Sequence, residues 1–267
     1  MTSNVCKTPS LIIVGAGPGN PELITLKGVR ALQQADVVLY DALASTELLE
    51  FTKPSCKKVY VGKRKGKKAF SQEEIHQLIV FYATRYGTVV RLKGGDPYVF
   101  GRGHEELEYA VRRGVQVEVI PGVSSALAAP AAAGIPLTKR GVNESFWVIT
   151  GTLASGEISA DIKWAAQSSA TVVILMGMTN LEQIALLFSD ARSPLEPVAI
   201  IQEATLPGQR VVKATAGTIY QVVAEEKISS PAVIVFGKVV EESQLIDQLT
   251  EQIHVHVDRS KHESFLS

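Results

Sequence analysis

Short, continuous apolar runs separated by segments of helical period set the rhythm of this chain. Leu11–Val14 has the length and branched, apolar content of a strand buried on both faces; Val37–Tyr40, Val59–Val61 and Thr88–Val90 read as further strands, and so does Val115–Ile120, where Gln116 and Glu118 interrupt the apolar residues. Between the first two, Pro21 to Ala35 reads as a helix. Asn20 is placed to cap it, Pro21 suits its first turn, and Leu23, Leu26, Val29 and Leu32 form its apolar stripe. Ser71-Gln72-Glu73-Glu74 is a capping box opening a helix that Gly87 closes. A third helical segment runs from Glu105 to Arg113. Ala126 to Ala133, nearly all alanine, reads as a tightly packed fourth.

The second half repeats this style without repeating the sequence. Apolar runs at Phe146–Thr150, Thr171–Met176, Val198–Gln202 and Ala232–Phe236 accompany one helical segment, Asn180 to Asp190. Val211 to Ala214, after the turn at Gly208-Gln209-Arg210, reads as a strand at a sheet edge. Strands alternating with helices predict an α/β fold in which each half is a sheet flanked by helices, the second sheet mixed. Gly134 to Gly141 reads as the connector. The expected domains are residues 10–140 and 141–242, followed by an extension, 243–267, that starts as a helix and ends as a frayed tail. That tail holds His254, His256 and His262 without further ligands, so no metal site is expected.

Chemistry concentrates where the apolar runs end. Arg91 to Gly103 follows a strand and contains four glycines, one proline, one aspartate and three cations. A connecting turn needs one or two glycines. Four imply backbone held close to a ligand, with Asp96 fixed in direction between Gly95 and Pro97. Asp41 ends the second strand, where open α/β sheets place ligands; a helix cap is the structural alternative. Ser124 and Ser125 open the alanine helix, whose amides suit a ligand at a helix N-terminus. Gly15-Ala16-Gly17-Pro18-Gly19 has the spacing G-x-G-x-G, which does not fit a nicotinamide or flavin fingerprint.

Composition narrows the class. The chain has 267 residues, 46% hydrophobic and 20% charged, with 27 cations against 27 anions. Zero net charge argues against nucleic-acid backbone as the main partner. Against that neutral background, seven cations and no acid fall between Lys57 and Lys68. A small anionic ligand would account for the run, and so would an RNA phosphate track. Cys6 and Cys56 lack metal spacing and read as free thiols. The first ten residues carry no signal-peptide core, and no apolar run is long enough to span a bilayer, so a cytoplasmic location with no membrane partner is expected.

Taken together, Val14-Gly-Ala-Gly-Pro-Gly19, Val38-Leu-Tyr-Asp41, Tyr60-Val-Gly-Lys-Arg64, Arg91-Leu-Lys-Gly-Gly-Asp-Pro97, Phe100-Gly-Arg-Gly103, Pro121-Gly-Val-Ser124, Gly134-Ile-Pro-Leu-Thr138 and Ser230-Pro-Ala232 closely resemble the uroporphyrinogen-III C-methyltransferases of the S-adenosylmethionine-dependent tetrapyrrole methylases. The resemblance runs from about residue 10 to about residue 242. It implies a two-domain tetrapyrrole-methylase fold, a homodimer, and a cofactor in the interdomain cleft. The implied reaction methylates C2 and C7 of uroporphyrinogen III, giving precorrin-2 for siroheme or cobalamin synthesis and S-adenosylhomocysteine as by-product.

The resemblance also assigns positions. Pro18, Gly94, Gly95, Asp96, Val99, Ser124, Ser125, Met176, Ala204 and Ala232 match cofactor-contacting positions, with Ala204 standing where the family has glycine and Ser124-Ser125 where many members have Thr-Ala. Asp41 matches the family's proton acceptor and Lys63 its proton donor. Arg102 is a second candidate for proton handling or substrate orientation. Lys63, Arg64, Arg102 and Arg140 are the expected cationic contacts to the eight carboxylates of the macrocycle. Two rivals share the fold: an rRNA methyltransferase, for which the basic run is a phosphate track, and a methylase acting on another precorrin. A third, a non-enzymatic nucleotide-binding module, is disfavoured by Asp41 and Lys63.

Overall fold

A computed structural model describes residues 8–62 and 70–243. Lys63 and Arg64, with the rest of the basic run up to Ala69, lie outside the described residues, as do Cys6 and the extension from residue 244 onward. The chain divides into two compact units, Met1–Ser125 and Ala126–Ser267.

The first unit is built on five parallel strands: β1 (Ser10–Gly15), β2 (Val37–Tyr40), β3 (Lys57–Tyr60), β4 (Thr88–Lys93) and β5 (Gln116–Ile120), in the order β3-β2-β4-β1-β5. Parallel strands require crossovers, and helices α1 (Leu26–Gln34), α2 (Gln72–Tyr86) and α3 (Gly103–Val111) supply three of them. Strand alternation divides the core in two. Ile12, Val14, Val38, Val90 and Leu92 pack with Ala31 and Leu32 of α1. Leu11, Ile13, Leu39 and Val89 pack on the other face with Ile75, Ile79 and Ala83 of α2 and Ala110 of α3. The α2 capping box forms as expected: Ser71 Oγ accepts the Glu74 amide at 3.1 Å, and Glu74 Oε2 accepts the Ser71 amide at 2.6 Å.

The helix expected over residues 21–35 is split. Pro21–Leu23 is a single 3₁₀ turn capped by Asn20, and α1 starts only after Thr25, whose hydroxyl accepts the Gly28 amide at 3.1 Å. Thr25 competes as a cap and wins, and Leu26 is consequently 77% exposed instead of lying on the buried stripe.

The second unit holds β6 (Phe146–Thr150), β7 (Thr171–Leu175), β8 (Pro197–Gln202), β9 (Arg210–Thr215) and β10 (Ala232–Phe236), in the order β6-β7-β10-β8-β9. The sheet is mixed, as the pattern predicts: β6 and β7 are parallel, β10 runs antiparallel to both neighbours, and β9 is an edge. Helices α5 (Asp161–Gln167), α6 (Leu181–Ala191) and α7 (Ile219–Glu225) cover one face through Ile162, Ile184, Phe188 and Ile219. The sequence reading contained only α6; α5 and α7 span seven residues each, too short for their period to stand out.

Helix α4 (Ser125–Ala132) explains where the units part. Ala126, Ala129 and Ile135 pack against Val173, Ala199, Ile201 and Val235 on the other face of the second sheet. The first compact unit therefore ends earlier than residue 140, because small side chains on α4 belong to the second core.

Candidate active site

In the first unit the predicted residues collect at the carboxyl ends of the parallel strands. Three backbones meet there, and two of them, at Gly15 and Gly122, leave no room for a side chain. A Cβ on Gly15 would lie 2.5 Å from the Gly122 nitrogen, and one on Gly122 would lie 2.4 Å from the Gly95 oxygen. Gly17 and Gly95 exchange amide bonds of 3.2 and 2.7 Å, which ties the Pro18 loop to the Gly94-Gly95-Asp96 loop. Asp96 joins the third loop: its Oδ2 accepts the Gly122 amide at 3.0 Å and its Oδ1 accepts the Tyr98 amide at 2.8 Å. The carboxylate expected to face a ligand is thus also the staple between the ends of β4 and β5. Gly95, at φ +66°, keeps an open side: a Cβ there would meet only the Ser125 amide nitrogen, at 3.9 Å. Val99 is exposed beside this loop, and Ser124 is buried.

Asp41 belongs to the same edge. A Cβ on Gly94 would lie 2.5 Å from Leu43 Cβ, so the loop after β2 abuts the loop after β4. Asp41 Oδ1 accepts the Leu43 amide at 3.2 Å, and its Oδ2 accepts Arg91 Nη2 at 3.1 Å. Arg91 opens a charged network that the sequence reading did not assign. Its Nε donates to Glu106 Oε1 at 3.2 Å, and Lys93 Nζ and Gln72 Nε2 donate to that same oxygen at 3.0 and 3.2 Å. Glu106 Oε2 has no hydrogen-bond partner among the described residues. Burial, with Arg91 beside it, pushes the Lys93 ammonium below the ordinary lysine range, against the opposing pull of Glu106. A detectable signal was present: two cations alternate with apolar residues inside a strand otherwise buried on both faces.

Arg102 is exposed and adopts φ 57° at the N-cap of α3. Glu105 receives its Nε and Nη2 at 2.9 and 2.7 Å. These bonds raise the guanidinium pKa further and lower that of Glu105. The guanidinium is thus held as a cation by Glu105 at the start of α3. Phe100, at φ 54°, is a second non-glycine residue in the left-handed region of this loop.

In the second unit, Met176, Ala204 and Ala232 share one sheet edge. Met176 follows β7, Ala204 follows β8, and Ala232 starts antiparallel β10, paired with Gln202, while Val233 pairs with Leu175. Met176 has φ 56° and is 53% exposed; Glu203 and Thr205, on either side of Ala204, have φ 48° and 69°. The Met176 turn is held by Thr152, whose hydroxyl donates to the Met176 carbonyl at 2.7 Å and accepts Asn180 Nδ2 at 3.0 Å. Neither residue was singled out in the sequence. Arg140 is exposed within the second unit, and no described contact ties it to these residues.

Comparisons with known proteins agree on one class. The family model described as Tetrapyrrole (Corrin/Porphyrin) Methylases matches residues 10–220. A Methanocaldococcus jannaschii protein named uroporphyrinogen-III C-methyltransferase is 50% identical over 87% of this chain and 97% of its own length. The Thermus thermophilus uroporphyrin-III C-methyl transferase crystallised with S-adenyl homocysteine is 43% identical, with a TM-score of 0.73 over 87% of this chain and 99% of that one. A cobalt precorrin-4 methyltransferase structure is 30% identical, with a TM-score of 0.78 over 86% of this chain and 95% of its own.

Proposed function

This chain belongs to the tetrapyrrole (corrin/porphyrin) methylases, and we propose that within them it transfers methyl groups from S-adenosylmethionine to C2 and C7 of uroporphyrinogen III, forming precorrin-2. The observation that carries this reading is the 50% identity to a named uroporphyrinogen-III C-methyltransferase along nearly the whole of that protein.

The residues at the first sheet's edge suit the cofactor. Gly95 leaves its Cβ side open beside the Ser125 amide, and Gly94, Asp96, Val99, Ser124 and Pro18 lie on the loops gathered around it. These residues are proposed to hold S-adenosylmethionine; Met176, Ala204 and Ala232 are proposed as cofactor contacts on the family resemblance alone. When bound, it supplies a sulfonium-activated methyl group and leaves as S-adenosylhomocysteine. Asp41 is proposed to take the proton that the acceptor ring loses as its carbon gains the methyl, a role contributing about 10²–10⁴-fold. Three bridged loops give a rigid frame for alignment, from which about 7–11 kcal/mol of a barrier can derive. Lys63, Arg64, Arg102 and Arg140 are proposed to orient the substrate carboxylates, with Lys63 also the proton donor. We extend the reading to a cytoplasmic homodimer acting on this small molecule, without a nucleic-acid or membrane partner; its zero net charge supports the first of these exclusions.

The test is anaerobic incubation with uroporphyrinogen III and methyl-labelled S-adenosylmethionine, with products analysed by mass. Two labelled methyl groups on the macrocycle are expected. Transfer only to a later precorrin or to rRNA overturns the reading.

A further inference from the structure

The charged network behind Asp41 has no part in the chemistry above, yet it is the most deeply buried polar cluster described: Arg91 is 3% exposed, Lys93 5% and Glu106 0%. Stability alone is a poor reason for it, since well-packed apolar side chains of similar volume usually serve a core as well as a buried ion pair. Its geometry suggests another purpose. Each guanidinium nitrogen of Arg91 has a partner. Nε donates to Glu106 Oε1, Nη1 to the Leu92 carbonyl at 3.0 Å, and Nη2 to Asp41 Oδ2. The planar fork is fixed from β4 and from α3, and its remaining arm reaches the carboxylate at the end of β2. Asp41 itself stands in a loop, with its side chain a quarter exposed, and apart from Arg91 its carboxylate bonds only to the Leu43 amide among the described contacts.

We propose that Arg91 is a positioning residue for the methyl transfer: it aims the Asp41 carboxylate, and Glu106 anchors Arg91 so that the aim is held by the core and not by the loop. The inference rests on the reading of Asp41 as the proton acceptor. A lysine at position 91 keeps the charge but has a single head, which cannot bond Glu106 and Asp41 through separate nitrogens of a rigid plane. A misplacement of about 1 Å costs about 10²-fold in rate.

A double-mutant cycle on the full-length enzyme tests this, with kcat and KM measured for wild type, Arg91→Lys, Asp41→Asn and the double variant. Arg91→Lys is expected to lower kcat about 10–100-fold with little change in KM for S-adenosylmethionine. In the Asp41→Asn background the same exchange is expected to change kcat less than about twofold, because residues acting through one another are not additive. Losses that multiply in the double variant would overturn the inference, as would a wild-type rate in Arg91→Lys while Asp41→Asn is slow. A wild-type rate in Asp41→Asn sinks the reading of Asp41 instead. If Arg91→Lys does not fold, Glu106→Gln replaces it in the cycle: a kcat loss that vanishes in the Asp41→Asn background supports the anchor, and an independent loss or none overturns it.

Discussion

Asp96 Oδ2 accepts the Gly122 amide at 3.0 Å, across 26 residues of sequence, and so bolts the loop after β4 to the loop after β5. The partner oxygen accepts the Tyr98 amide. A residue that reads in sequence as a ligand contact is therefore part of the frame that shapes the site.

Replacing Asp96 should consequently act on both. In Asp96→Asn only one side-chain oxygen remains for two amide donors, so a charge-assisted bond is lost. Stability is expected to fall by about 1.5–3 kcal/mol in denaturant titrations. S-adenosylhomocysteine affinity by calorimetry is expected to drop at the same time, and unchanged affinity would remove Asp96 from the cofactor site.

Gly122→Ala tests the backbone contact directly. The added methyl would lie 2.4 Å from the Gly95 carbonyl oxygen and 2.7 Å from Gly15 Cα, and neither is the movable end of a side chain. A loss of about 1–3 kcal/mol is expected, with weaker cofactor binding as the Gly95 loop is pushed away. Gly122 lies outside the left-handed region, so this loss reports the steric contact and not backbone strain.

The Cys56 thiol makes alkaline stability pH-dependent. Burial pushes it above its ordinary value of 9.0, outweighing the nearby Lys53 charge. The folded state thus holds the proton more tightly than the unfolded state. The stability this contributes is fully present below the unfolded value and is lost as pH rises through the folded one. Cys56→Ala should therefore lose less melting temperature than wild type between about pH 8 and about pH 10. Parallel curves for the two proteins would contradict it.

Substrate binding should weaken with salt. Arg102 and Arg140 are exposed, so their attraction to a multiply charged macrocycle is open to screening, with a Debye length of about 10 Å at 0.1 M. KM for uroporphyrinogen III is expected to rise with ionic strength more steeply in wild type than in Arg102→Gln. An equal slope in both proteins would take Arg102 out of substrate recognition.

Much of this architecture was open to reading along the chain. Leu11–Val14, Val37–Tyr40 and Phe146–Thr150 announced strands by continuous apolar sequence, although Phe146 and Trp147 of β6 are exposed, and Ser71 with Glu74 announced a helix start, because these signals depend on residues within one turn or one pleat of each other. The Gly94-Gly95-Asp96 stretch marked where three loops meet, since glycine density after a strand is a local property. Thr25 winning over Asn20 as the cap of α1, and α4 joining the second core, were not legible there, because each was settled by which neighbour a short segment packs against.

By itself, then, the sequence determined the α/β class, the strands that end in glycine and carboxylate, and the family to which they point, all through contacts close along the chain. The tertiary structure alone decided what those residues are attached to. It set Asp96 against Gly122, joined Asp41 to Arg91 across 50 residues, and seated Arg91 and Lys93 on one oxygen of Glu106. Those pairings exist because parallel strands bring distant chain segments to a common edge, where a buried charge must find its partner wherever the fold has placed one.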